Sequence, residues 1–223
     1  MDQRTIAGSQ SQVSESNFIS KVYLWMSVGL FLSAFASFWL LAQPALLKSV
    51  VTNQWIFFGI IIAELGLVIW LSAAVMRLSA VAATAIFCGY SFLNGLTLTP
   101  ILLIYTGASV ATTFAVTAGT FLFFSVYGMT TKKDLTAVAN LAMMGLFGII
   151  IASVVNLFLK SPLVMWITTY IGIAVFLGLI AYDTQKLKAM HAMGFENEEM
   201  GKKLAIMGAL ALTLISSICL SCF

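Results

Sequence analysis

From Val164 to Tyr182 the chain runs nineteen residues without a charge, then meets Asp183, Thr184, Gln185, Lys186 and Lys188 in quick succession. At 1.5 Å per residue, a helix of that length crosses a hydrocarbon core of about 30 Å. Six other runs are uncharged or nearly so, giving seven in all: Val22–Ala42, Trp55–Val75, Ala80–Tyr105, Val110–Tyr127, Leu135–Leu159, Leu163–Tyr182 and Leu204–Phe223. The connections are short except Asp183–Lys203, which holds most of the polar residues. In lipid a spanning segment must satisfy its own backbone amides, so long single runs of this kind are helices. The expected fold class is an all-α membrane protein with seven transmembrane helices. A six-span alternative would leave the last run re-entrant.

Composition supports that class. Soluble domains carry about 25% charged residues, whereas this chain carries 9% and is 61% hydrophobic. Residues 21–223 are read as one seven-helix transmembrane domain. Residues 1–20, rich in Ser and Gln, are read as a polar, disordered N-terminal tail. The first apolar run begins near Val22 and is too long for the core of a secretory signal, so it is expected to be retained. The basic residues are scattered over links rather than gathered on one face, which argues against nucleic acid as a partner. The lipid bilayer is the partner the composition demands.

Orientation follows from counting Lys and Arg by side. With seven spans, one side receives Arg4, Lys21, Arg77, Lys132, Lys133, Lys186, Lys188, Lys202 and Lys203, which is nine. The other receives Lys48 and Lys160, which is two. Nine against two places the N-terminus in the cytoplasm and the C-terminus outside.

Two acids lie within or at the edge of the hydrophobic runs, Glu64 and Asp183. An ionised residue at the bilayer centre costs about 2.5–3.5 kcal/mol on insertion scales. Glu64 must therefore be protonated or paired across the bundle, and a place on an ion or proton path is the functional reading. Asp183 follows the sixth run directly and reads as an acid at the C-terminal, cytoplasmic end of a helix, the unfavourable pole of the helix dipole. Arg77 ends the second run thirteen residues after Glu64, about 20 Å along the axis, too far to pair with it on one helix. Pro100 should kink or break the third helix. Asn94, Thr97 and Thr99 precede it and could satisfy freed backbone groups or each other, or line a water path.

Other candidates carry less. His191, the one histidine, sits in the last link and reads as solvated. Glu196, Glu198 and Glu199 with Lys202 and Lys203 read as a solvated face before the last run. Cys219 and Cys222 form a C-x-x-C but lack further Cys or His to complete a metal site, so they read as packing residues. No catalytic triad, phosphate loop or H-E-x-x-H helix is present, so neither an enzyme nor a bound metal or cofactor is expected.

Three stretches taken together resemble the Bax inhibitor-1 family, also called the transmembrane Bax inhibitor motif proteins. They are NGLTLTPILLIYT (Asn94–Thr106), VYGMTTKKDL (Val126–Leu135) and GLIAYDTQKLK (Gly178–Lys188), in the family's order, with AELGLV around Glu64 fitting its second helix. The resemblance covers Val22 to Leu214, AYDTQ is its most specific piece, and the wording is closer to bacterial members. It implies six helices wrapped around a central C-terminal helix, and a pH-sensitive calcium leak across a bacterial inner membrane, with Ca2+ as the permeating ion. It also implies a gate of two aspartates, from the sixth and seventh helices, sharing one proton, so that their titrations split. By residue match Asp183 is the first of that pair, and Glu64 lines the path. The chain departs from the pattern at Ser217, which occupies the position expected for the second aspartate. It also ends at Phe223, where relatives continue. Ala74 and Val75 stand where relatives often carry an Arg, leaving Arg77 as the nearest base. Loss of the second acid keeps a rival reading open: a non-conducting protein that binds other membrane proteins, such as a protease or a stress regulator.

Overall fold

All regular structure among the described residues of the computed structural model is helical. Those residues are 3–75, 77–104, 107–192 and 198–222 for the backbone; side chains are described from Phe18 onward, except 101, 104, 108, 157, 190–192, 198, 216 and 218–222. The helices are α1 (Gln3–Leu41), α2 (Pro44–Thr52), α3 (Gln54–Ala74), α4 (Ala80–Ile104), α5 (Gly107–Thr130), α6 (Thr136–Leu159), α7 (Pro162–Ala192) and α8 (Glu198–Cys222). Among the described residues six segments are long and apolar enough to cross a membrane, one each in α1 and α3–α7. They carry the first six predicted runs. The seventh falls on α8, which opens with Glu199, Lys202 and Lys203 and is not one of the six.

Four local features differ from the sequence expectation. α1 starts at Gln3, so polar residues 3–20 are helical where a disordered tail was expected. It contains no Pro, and extending a helix that a span has already nucleated costs little. The link after α1 holds a helix of its own, α2, with Pro44 in its first turn and Val50 buried. Asn53 then accepts the Trp55 amide at 3.1 Å and starts α3. α4 passes through Pro100 unbroken to Ile104, since proline removes one backbone bond and a membrane helix has no competing solvent to take its place. α7 continues well beyond Tyr182, ending at Ala192.

The chain divides into two compact units, Met1–Thr106 with Ala189–Thr213, and Gly107–Lys188 with Leu214–Phe223. In the first, α1 and α3 both pack on α4. The α1–α4 seam is built from small residues at every fourth position: Gly29, Ser33 and Ser37 on α1, Ser91, Gly95 and Thr99 on α4. The Ser33 hydroxyl donates to the Ser91 carbonyl at 2.7 Å and that of Ser37 to the Gly95 carbonyl at 2.5 Å. A Cβ at Gly95 would strike the Ser33 carbonyl and come within 2.7 Å of the Ala36 Cβ. α3 buries only Leu71 among its residues and turns Trp55, Ile62 and Ile69 outward, as a helix facing lipid must.

In the second unit α7 packs against both α5 and α6. A Cβ at Gly128 of α5 would strike the Ala181 carbonyl, and one at Gly145 of α6 would lie 2.7 Å from a Val175 methyl. The Gly178 face of α7 meets Val138 and Ala142.

Candidate functional site

Glu64 is the eleventh of the twenty-one residues of α3, so it lies about 15 Å from either end, at the middle of a span. On α4, Tyr90, Asn94 and Thr97 stand at i, i+4 and i+7, which puts them on one stripe. Glu64 docks on that stripe. The Asn94 Nδ2 donates to Oε1 at 2.8 Å and the Thr97 hydroxyl reaches Oε2 at 3.2 Å. The sequence suggested that Asn94 and Thr97 serve freed backbone groups or each other; the Asn94–Thr97 bond is present, and both also hold the acid. The short link between α3 and α4 sets them side by side as an antiparallel hairpin, but it does not by itself pick out Asn94 and Thr97 as the partners of Glu64.

Thr97 makes the arrangement bistable. Its hydroxyl also lies 2.9 Å from the Asn94 carbonyl, and a hydroxyl has one proton to give. While Thr97 donates to that carbonyl, its lone pair faces Oε2, and a hydrogen bond there requires Glu64 to carry the proton. When Thr97 turns its proton to Oε2, the ionised form is held instead. The site therefore accommodates both protonation states without moving a backbone atom.

Tyr90 was not singled out from the sequence. Its ring is buried, 1% exposed, and the hydroxyl lies within electrostatic reach of the Glu64 carboxyl. Only its place one turn before Asn94 signals it. Arg77 stays apart. It is exposed in the link after α3, its amide donating to the Ala74 carbonyl at 2.8 Å.

Three residues of the AYDTQ stretch, and Lys188 just after it, make structural contacts, and Asp183 stands apart from them. Ala181 receives Gly128, the Thr184 hydroxyl meets Ser125 at 3.2 Å, and Lys188 Nζ donates to the Met129 carbonyl at 3.1 Å. The Gln185 amide accepts from the Leu135 N–H at 3.0 Å and donates to the Lys133 carbonyl at 2.8 Å, which clamps the α5–α6 link to α7. In that link Asp134 accepts the hydroxyl and amide of Thr136 at 2.6 and 2.9 Å, and these bonds hold its carboxyl below the usual range. That support for the start of α6 is full above the ordinary carboxylate range and is lost as pH falls through the lowered value. Replacing Gln185 with alanine removes about 1 kcal/mol of net hydrogen bonding. Deuterium exchange at the Leu135 amide should then quicken about fivefold, while amides of α3 and α4 stay unchanged.

Asp183 is the exception. It precedes the end of α7 at Ala192 by nine residues, so it is not the helix-end acid the sequence suggested, and the dipole penalty, confined to the last turn, does not apply. On the helical wheel it lies opposite Ala181 and Gln185, on the same stripe as Phe176, Ile180 and Leu187, all buried. Its half-buried carboxylate thus lies on a protein-covered stripe rather than a lipid-facing one. Among the described residues none hydrogen-bonds that carboxylate, and Lys186 supplies the nearby positive charge. Ser217 is buried, 5% exposed. The side chains of His191, Glu198, Cys219 and Cys222 lie outside the described residues, as does Glu196.

Comparison with known proteins bears on this arrangement. A family model described as inhibitor of apoptosis-promoting Bax1 matches residues 15–217. Inner membrane protein YbhL of Escherichia coli K12 is 47% identical over 206 residues, covering 92% of this chain and 88% of that protein. The uncharacterized protein RP147 of Rickettsia prowazekii is 40% identical over 199 residues, covering 88% and 83%. An uncharacterized protein of Borreliella burgdorferi is 38% identical over 205 residues, covering 92% and 88%.

Proposed function

This chain belongs to the Bax inhibitor-1 family, and from that footing we propose that it is a pH-dependent passive leak for cations, calcium among them, in a bacterial inner membrane. The observation that carries the reading is the mid-membrane Glu64, held by Asn94 and Thr97 in a geometry that serves either protonation state. Asp183, on a buried stripe of α7 with no hydrogen bond among the described residues, is the second polar waypoint. Acids inside a span that face protein rather than lipid are the usual markers of ion and proton paths. The inner-membrane assignment follows the name of the Escherichia coli relative. Nine basic residues against two favour a cytoplasmic N-terminus and an outside C-terminus.

In this reading α8 is the seventh span and the central one. Its Ala205, Ile206, Ala209, Leu210, Leu212 and Thr213 are all buried, covering close to half the helix circumference. None of its described large apolar residues is exposed, whereas α3 and α6 turn many outward. A helix enclosed by others needs less apolarity than one bathed in lipid, which accounts for the charged first turns.

The test is calcium flux into proteoliposomes at two pH values, for wild type, Glu64→Gln and Asp183→Asn. Wild type is expected to conduct in a pH-dependent manner and both variants to lose that dependence. Flux no greater than in protein-free liposomes at either pH ends the proposal. Ser217 favours a second reading, because serine cannot supply the paired carboxylate that would split the titration. In that case the protein is a non-conducting partner of a membrane protease or stress regulator. Absent flux together with a stoichiometric partner cross-linked in native membranes is its signature.

A further inference from the structure

Among the described residues, four buried hydroxyls have no hydrogen-bond partner: Tyr90, Ser91, Thr117 and Thr213. Three of them are unexceptional. A helical serine or threonine can rotate onto the carbonyl one turn back, so a small rotamer change satisfies it. Tyr90 has no such recourse, because its oxygen stands at the far end of a ring and cannot reach its own helix backbone. At 1% exposure it cannot reach headgroups or bulk water either.

The neighbourhood supplies what the hydroxyl lacks. Tyr90 shares the α4 stripe with Asn94 and Thr97, the two residues that hold Glu64, and stands one turn before Asn94, within electrostatic reach of the carboxyl. No direct bond joins the two groups. Each carboxyl oxygen has two acceptor positions. Asn94 fills one on Oε1 and Thr97 one on Oε2, so each oxygen keeps one lone pair free. A phenolic proton without an acceptor and a carboxyl with unfilled lone pairs therefore lie in one buried neighbourhood. A water molecule, which both accepts and donates, matches the two at once.

We propose that the Tyr90 hydroxyl and the remaining lone pairs of Glu64 form a buried binding site for one water molecule, making Tyr90 a positioning residue for the acid at the middle of the membrane. Tyr90 donates to the water and the water donates to Glu64, so the acid gains a third hydrogen bond that neither Asn94 nor Thr97 provides. The inference does not need the protein to conduct. It concerns the hydration of Glu64, and a leak that fails its flux test leaves it standing.

Infrared spectroscopy of the purified full chain in detergent tests it. The Glu64 carboxyl stretching band is identified by its loss in Glu64→Gln. In Tyr90→Phe, which keeps the ring and removes one oxygen, that band is expected to shift by several wavenumbers, as an acid losing a hydrogen bond does. Wild type moved into water labelled with oxygen-18 is expected to show an isotope-shifted O–H band that is missing in Glu64→Leu, whose side chain offers the water no acceptor. This arm needs no Tyr90 variant to fold. A Glu64 band unmoved in Tyr90→Phe overturns the proposal, and so does an isotope-shifted band that persists in Glu64→Leu. A dry orphan hydroxyl gives no isotope-shifted band even in wild type, and that result overturns the proposal as well.

Discussion

Gly95→Ala lowers the thermal unfolding midpoint in detergent markedly, while Gly148→Ala raises it slightly. The two substitutions add the same methyl group to helices of similar length. At Gly148 nothing lies within 4 Å of the new atom. At Gly95 the new Cβ strikes the Ser33 carbonyl oxygen and comes within 2.9 Å of its carbon. Those are backbone atoms of α1, so no rotamer change relieves the contact and the two helices must separate. Separation also stretches the Ser33–Ser91 and Ser37–Gly95 hydrogen bonds that tie the seam. Alanine gains about 0.8–1.0 kcal/mol over glycine in helix propensity, and overpacking costs about 1–3 kcal/mol, sometimes more. With two seam bonds strained as well, the net loss at Gly95 is expected near 2 kcal/mol. Gly128→Ala meets the same kind of obstacle in the second unit, the Ala181 carbonyl, and is expected to behave alike. A Gly95→Ala protein as stable as wild type would mean that α1 and α4 do not approach this closely.

Asn94→Leu has the second large effect, and its sign runs against hydrophobicity. Leucine is the better residue for a membrane helix by insertion alone. Yet Asn94 is buried and its amide is the shorter of the two hydrogen bonds to Glu64. Removing it leaves a mid-span carboxyl held by Thr97 alone. Interhelical hydrogen bonds in membranes average about 0.6 kcal/mol and reach about 1.7 kcal/mol, while an uncompensated charge at mid-span costs about 2.5–3.5 kcal/mol. Because Glu64 can take up a proton instead of staying charged, the loss is expected between those figures, about 1–2 kcal/mol. Adding Glu64→Leu to the same protein removes the orphaned acid and should restore stability to wild type or above. Equilibrium unfolding in mixed micelles of the single and double variants reads this coupling directly. If both singles and the double are equally stable, the α3–α4 hydrogen bonds contribute nothing to the fold.

Much of the architecture was written in one dimension. The first six spans follow from uncharged runs, because lipid offers no partner to a backbone amide and forces each run into a helix. Glu64 stood out for the same reason, as the one acid in the middle of such a run. Other features left no periodic trace. α2 is too short to register as a run. The α1 helix over residues 3–20 is polar, and hydropathy is silent about polar helices. Asp183 looked like the end of a helix because the uncharged stretch stops there, but helices end where capping or sterics end them, and α7 goes on to Ala192.

The family motif shows the division most clearly. Ala181, Thr184, Gln185 and Lys188 are marked by sequence only as a group, with nothing to rank them against Asp183. The structure occupies Ala181, Thr184, Gln185 and Lys188 with packing and clamping contacts to α5 and the α5–α6 link. It leaves Asp183 on the opposite face with no hydrogen bond among the described residues.

Residence in a membrane, the course of the first six spans and the acids that are costly there can be read from the chain alone, since those properties depend on local composition against a fixed solvent. The assembled helices alone reveal that Asn94 and Thr97 hold Glu64, that the Tyr90 hydroxyl is buried one turn from Asn94, and that Gly95 and Gly128 are where helices meet backbone to backbone. Those outcomes depend on which faces of distant segments come together, and a hydrogen bond across thirty residues of chain has no local signature.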